Sequence, residues 1–357
     1  MIEYLIKNKE AIKKRIKEIA NNSYNIHEFW NPYEFDNPKN LTFSAGDGSY
    51  NHLDYLSFSF YAVGAVGLLH KVGGKIKRVK ESYDFYIEHP LDITERLRLY
   101  MLILELKLAY YLLKNYNIDY YLFDGSLFSL LISAKTAIEK FGKDDFEKFY
   151  DKYKEELDNE IHKSLENDEI VINSKIYNLD REKKVLLEAL EYILVLNKII
   201  NEFKNKIIGI SKTSRINIYF NANIPDIAIF TKYTNDEGYS KPINFFETLA
   251  ESYGEGYKQL SGVMKSICFI RKFGAKLNNA YIQFVRLERN KAVLGITSFD
   301  KIDLKVLSSL KAISIDGYPY VLKKAHNMVK ITNKDMRYFA KFLNIEEPIA
   351  RYMVERL

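Results

Sequence analysis

The chain has 357 residues, 47% of them hydrophobic and 28% charged, with a formal net charge of +6. This is globular composition with ample material for a core, and it excludes an intrinsically disordered chain. A single cysteine, Cys268, excludes an intramolecular disulfide and a cysteine-based zinc site, while the modest basic excess permits a nucleic-acid partner without demanding one.

The opening residues, Met1-Ile-Glu-Tyr-Leu-Ile-Lys-Asn-Lys9, lack a signal-peptide layout. No apolar run approaches the roughly 20 residues that span a bilayer, so a soluble, cytoplasmic protein with no membrane partner is expected. Residues 3–20 read as an amphipathic helix with Leu5, Ile12, Ile16 and Ile19 on one side. Together with a polar loop this forms an N-terminal element, residues 1–40, ahead of a domain expected over residues 41–357.

Three strand-like runs follow, at 41–46, 55–69 and 75–88. Gly64 and Gly67 interrupt the second and suggest a bend or bulge, and Lys71-Val-Gly-Gly-Lys75 reads as a hairpin turn. A helix is predicted over 92–116 with Asp92 or Thr94 as N-cap, then a strand over 119–123 and a helix after Ser126. Residues 138–168 and 180–205 are helical and highly charged, an expected insertion or arm. Strand character returns at 206–211, 216–220, 225–231, 266–271 and 280–288, and helices are expected at 300–311, 320–330 and 333–356. Cys268, in the apolar Ser-Ile-Cys-Phe-Ile, reads as a buried small hydrophobe. The fold class is therefore α/β, a mixed sheet flanked by helices whose element order resembles the ribonuclease H-like fold.

Chemistry concentrates where a motif repeats. Asp-Gly-Ser ends two apolar, strand-like runs, at Asp47 in Leu41-Thr-Phe-Ser-Ala-Gly-Asp47-Gly-Ser49 and at Asp124 in Tyr120-Tyr-Leu-Phe-Asp124-Gly-Ser126. Asp-Gly alone is a turn signal. Two acids on neighbouring strands, however, can hold Mn²⁺ or Mg²⁺, which prefer carboxylate oxygens. Glu105 is the third acid. On its helix Arg96, Lys107 and Lys114 fall on one side and Glu105 on the other, among Met101, Leu108 and Leu112. A carboxylate in an apolar stripe needs a metal or a partner, and Arg98 is the alternative partner.

Lys212, after the strand Lys206-Ile-Ile-Gly-Ile-Ser211, is placed to neutralise a phosphate or simply to meet solvent. In Asp316-Gly-Tyr318-Pro-Tyr320-Val-Leu-Lys-Lys-Ala-His326, the proline fixes a turn or helix start and His326 follows two helical turns on, as a metal ligand, a proton carrier or a structural residue. Lys75, Lys77 and Arg78 form a basic hairpin that suits a phosphate backbone or plain solvent. Gly-Asp-Gly-Ser lacks the ending of a Walker A loop, and neither serine has nucleophile-elbow context.

Taken together these segments resemble the NurA nucleases. The resemblance rests on Ala-Gly-Asp47-Gly-Ser, Glu105, Phe-Asp124-Gly-Ser, Ile-Ser-Lys212, the strand Ile282-Gln-Phe-Val-Arg286-Leu, and Tyr318-Pro-Tyr followed by Ala325-His326, in family order from about residue 40 to 330. Nothing in 138–205 matches. The resemblance implies a Mn²⁺-dependent nuclease acting on single- and double-stranded DNA with 5′→3′ polarity and cutting single strands internally. It also implies a homodimer that docks on HerA, a hexameric DNA translocase, in end resection for recombination repair. Asp47, Glu105, Asp124 and His326 would be metal ligands, with Lys212 and Tyr318 completing the catalytic set. A non-catalytic scaffold for DNA or a translocase, and an enzyme of the same fold acting on RNA, are the competing readings.

Overall fold

Residues 1–20, 23–89, 93–139, 143–248 and 254–345 are described by the computed structural model. Helix α1 (Ile2–Ala20) leads, followed by a short strand β1 (Trp30–Pro32). An antiparallel meander comes next: β2 (Thr42–Asp54), β3 (Ser59–Lys71) and β4 (Ile76–Glu88). Helix α2 (Ile93–Asn115) then carries the chain over one face, so that β5 (Tyr120–Asp124) lies parallel to β2. Helices α3 (Leu127–Glu139), α4 (Lys143–Glu166) and α5 (Arg181–Phe203) precede β6 (Ile207–Ser211), which is parallel to β5.

The remaining chain contributes α6 (Asp226–Tyr233), β7 (Gly238–Ser240), β8 (Ile243–Asn244), α7 (Phe245–Thr248) and α8 (Gly254–Lys272). Strands β9 (Tyr281–Arg286) and β10 (Leu294–Ser298) follow, then α9 (Leu304–Ala312) and a small hairpin, β11 (Ser314–Ile315) and β12 (Tyr318–Pro319). Two helices, α10 (Tyr320–Val329) and α11 (Asn333–Phe342), end the described chain.

Ten strands form one mixed sheet in the order β1-β7-β9-β10-β6-β5-β2-β3-β4, with β8 also pairing β9. Strand β2 sits centrally, its own meander on one side and the parallel pair β5–β6 on the other. This is the ribonuclease H-like arrangement. Strand β3 is buried on both faces over Ser59–Leu68, which is why it reads as a continuous apolar run rather than an alternation. One face packs on α2, itself covered by α5; the other packs on α9 and α10.

Gly46, Gly48 and Gly67 make the first contact possible. A Cβ at these positions would come within 2.3 Å of the Tyr121 hydroxyl, 2.6 Å of Met101 and 2.5 Å of Leu112. The expected irregularity in β3 is a register shift against β4 between Gly67 and Leu68. Gly64 serves differently: the ring of Tyr83 lies across it, 2.3 Å from where a Cβ would stand.

Several expectations fail for identifiable reasons. Arg96 and Lys107, on the charged side of α2 opposite Glu105, do not face solvent; they are 5% and 0% exposed. That side faces α5, where Arg96 pairs with Glu188 and Lys107 with Glu191, each at 2.5 Å, and Glu88 at the end of β4 also pairs with Arg96 at 2.8 Å. The charged segment over 138–205 is thus no free arm; it supplies the counter-charges and the cover of α2. Its two expected helices, at 138–168 and 180–205, are found as α4 and α5, with residues 140–142 outside those described.

Residues 216–220 form no strand. They wrap the buried carboxylate of Asp226, which accepts backbone N–H bonds from Ile218 (2.7 Å), Tyr219 (3.1 Å) and Phe220 (3.3 Å). Residues 225–231 start α6 behind Pro225, and 266–271 lie inside α8. A short apolar run does not by itself distinguish strand from helix. Cys268 is exposed, because Ile267 and Ile270 take the inward side of that helix. Thr94 lies inside α2, whereas Asp92 and the far end of the helix expected over 333–356 lie outside the described residues.

Candidate active site

The two Asp-Gly-Ser motifs meet because of strand register. Strands β2 and β5 pair in parallel from Phe43 with Tyr120 to Gly46 with Phe123, so the next residues, Asp47 and Asp124, stand side by side. Side chains alternate along a strand, which turns Asp47 and Asp124 toward α10, with Phe43, Ala45 and Leu122 packed beneath that helix. Glu105 approaches from the other face, on the stripe of α2 that carries Met101 and Leu108 onto the glycine windows of β2.

Burial pushes Glu105 well above the ordinary carboxylate range, and the charges of Asp47 and Asp124 push it further. Asp47 is also raised by burial, an effect opposed by His326 and reinforced by Asp124. The three carboxylates therefore share one electrostatic site. Arg98 is exposed and makes no ion pair with Glu105 among the described residues, which removes the alternative partner.

Three further expected residues converge here. His326, on α10, places Nδ1 2.8 Å from Asp47 Oδ2. Lys212, one residue beyond β6, donates from Nζ to Asp124 Oδ2 at 3.2 Å, with the ammonium 4.2 Å from the centre of the Tyr318 ring. Tyr318 lies on the short hairpin ahead of α10, its hydroxyl buried without a hydrogen-bond partner among the described residues. Burial and the charge of Asp124 raise its pKa.

Tyr121 was not singled out by sequence reading. It points from β5 to the α2 side, and its hydroxyl too is buried and unpartnered. Burial, then Glu105 and Asp47, push its pKa well above the usual phenol value. The available signal was a phenol three residues before Asp124 in a strand whose alternation puts it on Glu105's face.

No group of three or more His, Cys, Asp or Glu side chains closes into a ready-made metal cage among the described residues. Asp47 and Asp124 are instead engaged by His326 and Lys212. The donor set nonetheless fits a hard divalent cation: three carboxylates that repel one another, and two orphaned phenol oxygens beside them.

Lys75, Lys77 and Arg78 are not brought to this site. All three are exposed, and Arg78 pairs with Glu81 at 3.0 Å. The tip of their hairpin is level with Thr42, five residues before Asp47 and so roughly 17 Å away along the strand, while Arg78 pairs with Leu68 in the row of Ala45, two strands to the side of Asp47's strand.

Residues 41–331 match the family model described as the NurA domain. The chain belongs to the NurA family. The probable DNA double-strand break repair nuclease NurA of Methanocaldococcus jannaschii is 57% identical over 357 residues, covering 99% of this chain and 92% of that protein. The DNA double-strand break repair nuclease NurA of Saccharolobus solfataricus is 30% identical over 354 residues, covering 95% and 93%. The crystal structure of the NurA nuclease from Sulfolobus solfataricus superposes with a TM-score of 0.73 at 26% identity, covering 96% of this chain and 95% of that one. A crystal structure of NurA bound to dAMP and manganese shares the fold, with a TM-score of 0.61 at 17% identity and coverage of 99% and 97%. The NurA match opens just before β2 and closes just after α10, so it contains the elements that carry all six converging residues. No helix among the described residues is long and apolar enough to cross a membrane.

Proposed function

We propose that the chain is a metal-dependent DNA nuclease that hydrolyses phosphodiester bonds in double-strand break repair. The observation that carries this reading is the juxtaposition of Asp47 and Asp124 by parallel register, with Glu105 coupled to both electrostatically. The names of the relatives from Methanocaldococcus and Saccharolobus, and the manganese and dAMP bound by a protein of the same fold, support it.

Asp47, Glu105 and Asp124, with His326 beside Asp47, are the residues that would hold Mn²⁺ or Mg²⁺. A cation there supplies Lewis-acid polarisation of the phosphodiester and a water nucleophilic at neutral pH. Lys212 is positioned to turn its ammonium from Asp124 to a phosphate oxygen and offset charge that develops there. The Tyr318 hydroxyl, with no partner of its own, donates to the same phosphate and so fixes the strand. His326, more than half exposed, holds or releases a proton at the Asp47 carboxylate next to bulk water.

The proposal extends to 5′→3′ exonuclease action on single and double strands, internal cutting of single strands, and cytoplasmic end resection by a homodimer with a HerA-type translocase. Helix α1 is a candidate docking element, since Ile2, Leu5, Ile12 and Ile16 of its apolar side are exposed. End-labelled single-stranded DNA, duplex DNA, RNA and hybrid duplexes, each with Mn²⁺ or EDTA, test the activity. Cleavage of DNA in Mn²⁺ alone is expected. Cleavage confined to RNA, or undiminished in EDTA, overturns the reading.

A further inference from the structure

The face of the sheet that carries Asp47 continues past the carboxylates. Residues directly paired across strands share a face. Register therefore sets Asp47, Val66 and Glu81 in one row, Ser49, Gly64 and Tyr83 in the next, and Asn51, Ala62 and Phe85 in a third. The start of α11 is tied to the same rows. Ile331 donates its N–H to Ser49 Oγ at 3.1 Å, and Asn51 Nδ2 donates to the Ile331 carbonyl at 3.2 Å and to Asn333 Oδ1 at 2.9 Å. Tyr83 and Phe85, on the edge strand β4, thus open onto the surface of the candidate active site, two strands (about 10 Å) to the side and two and four residues (about 7 and 14 Å) along.

A cavity of about 330 Å³ lies there, lined by Tyr83, Phe85, Val329, Lys330, Asp335 and Phe339. Its walls are aromatic. The Tyr83 and Phe85 rings stack with centroids 6.4 Å apart, and Phe339 meets Phe85 edge-on at 5.2 Å. Gly64 lets the Tyr83 ring lie down on the sheet. Tyr83 and Phe85 are nevertheless 41% and 44% exposed. Rings left in water on an edge strand are a liability unless something covers them.

Basic groups outnumber acidic ones around the cavity, with Lys330, Lys334 and Arg78 against Asp335 and Glu81, which suits a polyanion. Asp335 is committed to the cap of α11, where its carboxylate accepts from the Thr332 N–H at 2.8 Å and hydroxyl at 2.7 Å. Lys330 at the wall and Lys334 beyond it are exposed. Lys330 stands four residues after His326, about one helical turn.

We propose that this cavity is a nucleobase-stacking subsite for single-stranded DNA, holding a base a few nucleotides from the phosphate engaged by Asp47 and Asp124; it rests on the nuclease reading above. An unpaired base offers two free faces to aromatic rings, whereas a base in a duplex is already stacked. A protein partner on the edge strand would use the same rings, but continuity with the carboxylates and the lysine at the wall favour DNA.

The test measures binding by fluorescence anisotropy in EDTA, with a single-stranded oligonucleotide and a blunt duplex of equal length. Phe85→Ala and Tyr83→Ala should weaken single-strand binding roughly 5- to 150-fold and leave duplex binding within about twofold, while Tyr83→Phe should bind like the wild type. An abasic nucleotide at one position should cost the wild type a similar factor and cost the alanine variants nothing further. Unchanged single-strand affinity, or equal losses on both DNAs, overturns the subsite, and so does unchanged DNA affinity with an altered sedimentation coefficient, which assigns the rings to a protein contact. Wild-type cleavage of the same oligonucleotide in Mn²⁺ separates the two levels: if it is absent, the nuclease reading fails; if it is present while the variants bind normally, only the subsite fails.

Discussion

Glu105→Gln is the most informative single change, because site and scaffold respond to it in opposite directions. The glutamine keeps the shape and removes the charge. In metal-free protein that charge opposes folding, since burial and the neighbouring Asp47 and Asp124 raise the Glu105 pKa far above its ordinary value. A raised folded-state pKa means that the native protein binds more protons than the unfolded chain. Its stability contribution is present below the unfolded value and is lost as pH rises through the folded one. Each tenfold change in proton affinity is worth about 1.4 kcal/mol. On a chain of 357 residues that moves Tm by about 2 °C. In EDTA at pH 8 the variant should therefore melt above the wild type, and the two should converge toward pH 4. Cleavage in Mn²⁺ should meanwhile fall on the order of 10²-fold or more, as losing a key electrostatic element at an active site does. Paired melting curves across pH and single-turnover cleavage rates provide the measurement. A variant that melts early in EDTA, or that cleaves normally when folded, would refute the reasoning.

Other changes probe the supports of the site. Lys212→Met should slow cleavage about 10-fold or more while Tm stays nearly unchanged, because the Lys212–Asp124 pair is largely solvated; equal rates would place Lys212 outside the reaction. Lys107→Met should cost roughly 3–5 kcal/mol in urea denaturation, since Glu191, fully buried and otherwise bonded only to the Asn173 and Ser174 backbone N–H groups among the described contacts, keeps an uncompensated charge. Gly48→Ala puts a Cβ 2.6 Å from the Met101 side chain and 3.3 Å from its carbonyl oxygen; it should cost about 1–3 kcal/mol and raise the Mn²⁺ concentration that cleavage needs by lifting α2, an effect read from metal titrations.

What was legible in the sequence follows from how local each determinant is. Asp47 and Asp124 were readable because an acid after an apolar strand is a local pattern, and its repetition anticipates two strand ends that parallel register then sets side by side. Glu105 was readable because helical geometry alone sets it among Met101, Leu108 and Leu112. The same geometry left open what Arg96 and Lys107 face. A charged stripe looks alike whether it meets water or the carboxylates of another helix, and Glu188 and Glu191 lie more than 80 residues away in the chain. The strand expected at 216–220 failed on a similar non-local point, since the Asp226 carboxylate takes up the backbone donors that a neighbouring strand would have bound. Tyr83 and Phe85 show the limit most plainly. In sequence they only alternate with Ser82 and Asp84 in a strand-like run. Only the position of β4 at the sheet edge, two strands from Asp47 on the same face, gives their exposure a chemical meaning. Residues that make bonds over short spans were thus visible before the fold. Those that complete a site from a distant element became visible only through the register that joins them.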